Sequence, residues 1–579
     1  MKIITRPIKD SYISKDIIYT LILLKSLFKK FFNKASQIQS DPILRSWLIG
    51  RLLGRWQGEP AYTAHHPSYL SDLLPLSPES PTKQFCCLKT DTPTVELQLK
   101  LPCESIILHP GDENKLFTLP FRDIETKLAI HRFAWLSEFS EDVPVNWVAA
   151  IWQAWIKKYS TVDNSWAWHP YTVAERAVNI LSFIKRYGLP GSKENTLSVL
   201  TAHAHAIVNK LEYFGDHHTS NHLANNGRGL YLLGLTLGLK QTANIGGRIL
   251  IEEAKRIFHS SGVLREGSSH YHMLLTRNFE EVANAAEKYN RKEASSLRST
   301  ANKARTAAKL IILPGGLPLV GDISPDVSPN LLLKQLGLNK TNHHPSTEDL
   351  DLFREAGWYR KDFGPFSALW HASPKGWSQM PGHGHQDIGS FELHYGDEPV
   401  FVDPGRGHYG DTGDAALYRS ASVHNTLIID GSDPYPPNKP YYCDNFRRLH
   451  GGPNPCVGLS NNSLELIHSG YQRFTGVKNV NRKWTFNSNC MSIVDTVSGQ
   501  GKHKIERILI TPLKLERDGN HVILHSADNC YRLISDSEPT ISTFQIWKSY
   551  GSSYLGRAII FSREESLPWT GKLSFEKVQ

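Results

Sequence analysis

The feature that most restricts the fold is a change of period partway along the 579-residue chain. From Ile124 onward apolar residues recur at three-to-four spacing, over 145–158, 172–187, 195–214, 222–239, 245–258, 273–290 and 295–313, with short connections. That spacing gathers apolar side chains on one face of a helix. Pro314-Gly315-Gly316 closes the run. Beyond about Gly357 the apolar residues alternate with polar ones, over 366–371, 390–395, 400–402, 426–430, 463–468, 480–486, 491–497, 505–510, 522–525 and 543–548, with Gly, Asn and Asp between them. Many short alternating segments at close intervals predict an antiparallel β-sandwich. Helices first and strands second make separate layers, not βαβ units, so the chain is predicted to be multidomain α+β. Successive helical hairpins close into a toroid or stack as a solenoid, and periodicity does not choose between them.

The change of period implies four parts: an N-terminal extension with short helices and strands over 1–123, packed on the helical domain; that domain over 124–315; a polar connector over 316–356; and the β domain over 357–579. Within the extension a helix is predicted over 47–56, a Pro/Ser-rich loop around 75–81, and strands over 95–101 and 105–108. An apolar run at 17–24 is too short to span a bilayer, and no small-residue cleavage site follows it. Lys25, Lys29, Lys30 and Lys34 surround Leu27, Phe28, Phe31 and Phe32. They predict a basic amphipathic helix, either lying on a membrane surface or packed on the helical domain. Seven cysteines without paired metal spacing read as free thiols. The expected location is therefore cytoplasmic or membrane-peripheral, with the periplasm as the alternative. A net charge of +9 suits a polyanionic partner, while the lack of a Lys/Arg block or nucleic-acid module argues against nucleic acid.

The densest chemistry lies between Pro381 and Gly431. The alternating strands at 390–395 and 400–402, joined by Gly396-Asp397-Glu398, predict a hairpin. A hairpin brings its outer ends together, so His383 and His385 before it meet Asp403 after it, and His424 at the start of the next strand joins them. Two imidazoles and a carboxylate form a legitimate zinc set, and His385, Asp403 and His424 are the candidate ligands. In the helical half two polar phrases stand apart from the core period. One is Gly215-Asp216-His217-His218-Thr219-Ser220-Asn221-His222, followed by Asn225-Asn226; the other is Arg265-Glu266-Gly267-Ser268-Ser269-His270-Tyr271-His272. The first is richer in amides and imidazoles than helix capping requires, although Ser220 or Asn221 suits an N-cap.

His383-Gly384-His385-Gln386-Asp387, Val402-Asp403-Pro404-Gly405 and Arg419-Ser420-Ala421-Ser422-Val423-His424-Asn425-Thr426 together resemble the C-terminal signature of the heparinase II/III family of polysaccharide lyases. The resemblance implies an incomplete α/α toroid followed by an antiparallel β-sandwich, with a structural zinc on His385, Asp403 and His424. It also implies that Asn221, His222, Tyr271 and His383 carry the chemistry. A uronate-cleaving lyase removes the proton on C5, alpha to the sugar carboxylate, and expels the oxygen on C4. Fixed donors must stabilise the charge that develops, a task suited to Asn221 and His222. Tyr271 is the candidate general base, general acid or both, and His383 the carboxylate ligand or alternative base. Ala167-Trp168-His169-Pro170-Tyr171 with Glu175-Arg176 is similar to a family segment that lines the cleft. Arg176, Arg265, Arg406 and Tyr409 are the candidates for sugar contact. The expected substrate is an acidic polysaccharide. Two rival readings are a glycoside hydrolase, which would need paired carboxylates across a cleft, and a non-catalytic protein that holds acidic glycan during assembly or export.

Overall fold

The computed structural model describes residues 38–56, 66–139, 142–215, 219–338, 346–378, 382–439 and 441–578. The basic segment at 17–34 lies outside the described residues. Among the described residues the first half contains nine α-helices: α1 (Pro42–Leu52), α2 (Ile124–Arg132), α3 (Val145–Tyr159), α4 (Pro170–Tyr187), α5 (Lys193–Val208), α6 (Asn221–Leu237), α7 (Lys240–Ile257), α8 (Ser269–Lys288) and α9 (Ala294–Ile311). From α2 onward the even-numbered helices pack side by side, α2 on α4, α4 on α6 and α6 on α8. The odd-numbered helices form an outer layer, with α3 against α5 and α7 against α9. This double layer is the toroid. Every residue of α6 except His222 is buried, as expected for a helix enclosed by neighbours on all sides. Gly234 allows α7 to approach, since a Cβ there would sit 2.3 Å from the Ala243 nitrogen.

Between Trp358 and Lys577 the described residues form one eight-stranded and two four-stranded sheets. Neighbouring strands run antiparallel throughout, including the Ser390–Tyr395 strand beside Glu398–Phe401. Tyr395 pairs with Glu398, so the turn is Gly396-Asp397 and Glu398, expected in the turn, begins the second strand. Trp370, Phe391, Phe401, Trp484, Phe486 and Phe575 fill the space between the sheets. Among the described residues no helix is long and apolar enough to cross a membrane.

Three local expectations are corrected. The helix predicted over 195–214 stops at Val208, and the buried Leu211 continues its apolar period on non-helical backbone. The connector is not simply polar loop. Helices Pro329–Leu336 and Thr347–Glu355 lie in it and bury Leu332, Leu333, Leu336 and Phe353 in the helical core. Their start signals, Ser328-Pro329 and the Ser346 cap on the Asp349 N–H, are local and legible. The extension does not pack only on the toroid. Residues 66–88 do meet it, with the Tyr69 hydroxyl 3.0 Å from Glu253 Oε1. However, α1 inserts Trp47 among Tyr442 and Phe446 of the β half, at centroid distances of 5.4 and 5.0 Å.

Candidate functional site

Each inner helix is followed by an outer one, so the inner helices share one direction and bring their N-termini to one end of the toroid. Tyr171 begins α4, Asn221 begins α6 and Tyr271 begins α8. Ser220 and Ser268 cap the last two, and the Ser268 hydroxyl accepts from the Tyr271 N–H at 3.1 Å. The segment before the β hairpin crosses this end. Its His383 N–H donates to the Glu266 carbonyl at 3.0 Å, and its carbonyl accepts from the Asp322 N–H at 2.9 Å.

The His383 ring lies flat on Tyr271, with centroids 3.5 Å apart and 9° between planes. Its Nδ1 is 3.1 Å from Asp322 Oδ2 and its Nε2 is 3.1 Å from Asn221 Nδ2. Asn221 also donates to Glu266, from Nδ2 to Oε2 at 2.6 Å and from its backbone N–H to Oε1 at 2.5 Å. An amide N–H pointing at Nε2 makes that nitrogen an acceptor, so the proton sits on Nδ1 and faces Asp322. The Tyr409 hydroxyl donates to the Ile323 carbonyl at 3.0 Å, so Tyr271, 2.7 Å away, donates to Tyr409. Burial pushes the Tyr271 phenol well above its ordinary pKa, against a smaller lowering from Tyr409, and the group stays protonated near neutral pH.

Asn221, Tyr271 and His383 therefore form one cluster. His222 stands beside it: its Nδ1 is 2.7 Å from Glu212 Oε1 and its ring lies 4.7 Å from that of Tyr171. Burial acts to lower its pKa, but the Glu212 charge and hydrogen bond reverse this, and the imidazole is held above its ordinary value. Asn226 does not face outward. Its amide nitrogen donates to Glu212 Oε2 at 2.9 Å and so fixes the partner of His222. Residues 216–218 of the same phrase lie outside the described residues.

The four sugar-contact candidates separate. Arg176 is a correction: it is fully buried, donates to the His131 and Ala167 carbonyls, and stacks 4.0 Å over Trp155. An inner helix buries all its faces, so a charged residue in its middle serves the core. Its neighbour Glu175 pairs with Arg228 at 2.8 Å. Arg406 is buried as well, with its guanidinium committed to Asp322 Oδ1 at 2.9 Å and to the Ala415 and Gly410 carbonyls. It braces the site and is not free to grip a sugar. Tyr409 reaches the cluster through Tyr271. Arg265 is exposed and lines a cavity of about 880 Å³ between the two halves, together with Arg256, Lys375 and Arg419. That cavity touches His385 but none of Asn221, His222, Tyr271 or His383.

The residue that sequence reasoning missed is Asp322. Its carboxylate receives His383 on one oxygen, and His385 Nε2 at 2.9 Å and Arg406 on the other. Burial alone would raise its pKa, but the hydrogen bonds from His383 and His385 hold it well below the usual carboxylate range. The available signal was Gly321 before it. With φ at +78°, a Cβ there would lie 2.6 Å from the Gly267 carbonyl oxygen and 2.7 Å from that of His383. Only glycine lets these three segments cross.

His385, Asp403 and His424 offer ligand atoms within 4.8 Å of one another, a group able to hold a metal ion. His424 Nδ1 is 2.8 Å from Asp403 Oδ2, while His385 Nδ1 and His424 Nε2 are buried without a hydrogen-bond partner. Buried imidazole nitrogens are rarely left unpaired, so the donor set fits an ion.

Comparison with known proteins gives two family models in chain order. "Heparinase II/III N-terminus" matches residues 120–328 and "Heparinase II/III-like, C-terminal" matches residues 345–549. No curated protein sequence matches the chain. A solved heparinase III is 18% identical with a TM-score of 0.60, over 79% of this chain and 78% of that one. Heparan sulfate lyase HepC from Pedobacter heparinus is 16% identical with a TM-score of 0.51, over 81% and 79%. These likenesses establish the fold, a helical toroid followed by a β-sandwich.

Proposed function

Because the chain belongs to the heparinase II/III family, we propose that it is a polysaccharide lyase that cleaves a uronate-containing acidic polysaccharide by β-elimination. The observation that carries this reading is the Tyr271–His383 stack with Asn221 against Nε2, built where the inner helix N-termini meet the β half. Helix N-termini favour an anion, here the sugar carboxylate. In the proposed reaction the Asn221 amide moves onto that carboxylate and frees His383 Nε2, which takes the C5 proton. The electron pair forms the C4–C5 double bond, the C4–O bond breaks, and the Tyr271 O–H protonates the departing oxygen. His383 then releases the proton it took to solvent, and Tyr271 takes one back, which restores both groups. His222, whose affinity for a proton is raised by Glu212, stabilises the charge on the carboxylate side. The solved heparinase III and heparan sulfate lyase resemble this chain in fold and support an acidic glycan as substrate class.

Hydrolysis fits the geometry less well. Glu266 is fully buried with both oxygens engaged by Asn221, and Glu175 is tied to Arg228, so neither is a free acid or base across a cleft. Incubation with a panel of acidic polysaccharides is expected to raise ultraviolet absorbance, because elimination creates a conjugated uronate. New reducing ends without that absorbance would replace the reading by hydrolysis, and binding without either product would leave a glycan-holding protein.

His385, Asp403 and His424 would hold zinc. Bound there, zinc would fix the segment that carries His383 two residues away. His385→Ala is expected to lose one equivalent of zinc per chain by elemental analysis and to melt at a lower temperature. A wild-type protein purified without zinc, and unable to take it up, would refute the site.

A further inference from the structure

We infer that Cys103, Asp123 and His408 form a second metal site, suited to a borderline divalent ion such as zinc. These residues come from three parts of the chain. Cys103 lies between the strands Leu97–Lys100 and Ser105–Leu108, Asp123 is the N-cap of α2, and His408 sits in the β-half loop that carries Tyr409. Their thiol, carboxylate and imidazole atoms lie within 4.8 Å of one another. The Cys103 Sγ to His408 Nδ1 distance is 3.7 Å. Zinc–sulfur and zinc–nitrogen bonds of about 2.3 and 2.0 Å at a tetrahedral centre place those two atoms about 3.5 Å apart. Asp123, placed as the α2 N-cap, brings a carboxylate within reach of the same point.

The surroundings suit an ion. Thiolate and carboxylate together neutralise a dication, and the thiol proton leaves to solvent as the metal binds. Asp123 is oriented from both sides: Oδ1 accepts from the Thr126 N–H at 2.8 Å, and Oδ2 accepts from the Tyr550 hydroxyl at 3.1 Å. The His408 ring is held edge-on by Trp547 and Tyr550, at centroid distances of 4.9 and 5.7 Å. All three ligands are partly accessible, which leaves an entry path and room for water as a fourth ligand. An ion here would fasten the N-terminal extension and the start of the toroid to the loop whose Tyr409 meets Tyr271.

The test uses the full-length protein loaded with cobalt(II) chloride. Thiolate bound to cobalt gives an intense near-ultraviolet charge-transfer band, whereas the His385, Asp403 and His424 group contains no sulfur. The band should be present in the wild type, persist in His385→Ala and vanish in Cys103→Ser and His408→Ala, with one equivalent of metal lost in each of the latter two. A cobalt-loaded wild type without the band, or a band that survives Cys103→Ser, overturns the proposal. The readout needs no turnover, so it stands or falls separately from the lyase reading.

Discussion

Replacing Tyr271 by phenylalanine is expected to lower kcat by about 10²- to 10⁴-fold, the usual range for a single acid–base group, with little change in KM or melting temperature. Among the described residues the hydroxyl makes one hydrogen bond, to Tyr409. Its loss removes the proton destined for the departing C4 oxygen but leaves the ring stacked on His383. The fold is spared because the buried area hardly changes. Steady-state kinetics on the substrate found by absorbance, with thermal melts alongside, check both halves of the expectation. Turnover that survives the substitution would remove Tyr271 from the chemistry. A protein that loses turnover only because it unfolds would show the tyrosine to be structural.

Asp322→Asn should fail differently, losing turnover and stability together. The carboxylate is the shared acceptor for His383, His385 and Arg406, and each of those side chains is at least mostly buried. An amide keeps the volume but leaves Arg406 without a counter-ion inside the protein. Breaking a buried pair in this way costs about 3–5 kcal/mol. The His383 Nδ1–H also loses its anionic partner, so the ring is less firmly oriented and its positive charge less stabilised when Nε2 takes the C5 proton. Chemical denaturation should show the lost stability, and kcat should fall even at temperatures where the variant remains folded. Unchanged kcat in folded Asp322→Asn would mean that His383 does not depend on the carboxylate.

These two residues were not equally legible. Tyr271 and His383 stand in phrases rich in polar residues at the edges of periodic segments, where the core has no use for them. Asp322 stands in a Pro- and Asn-bearing stretch that looks like linker, and its importance arises from contacts with residues 61 and 84 positions away. Arg176 misled in the opposite direction. It belongs to a phrase similar to a cleft-lining segment, yet it sits on a helix enclosed on every side, and Trp155 and two carbonyls absorb its charge.

The sequence alone determined the order of layers, helices before strands, and the hairpin that follows His383 and His385. Period and turn chemistry act over a few residues, so they survive without a partner in space. Only the tertiary structure decided that Asp322 joins the two halves, that α1 packs on the sheets, and that Cys103 and Asp123 stand beside His408. Those outcomes depend on which distant surfaces exclude water together, and spacing along a chain carries no record of that.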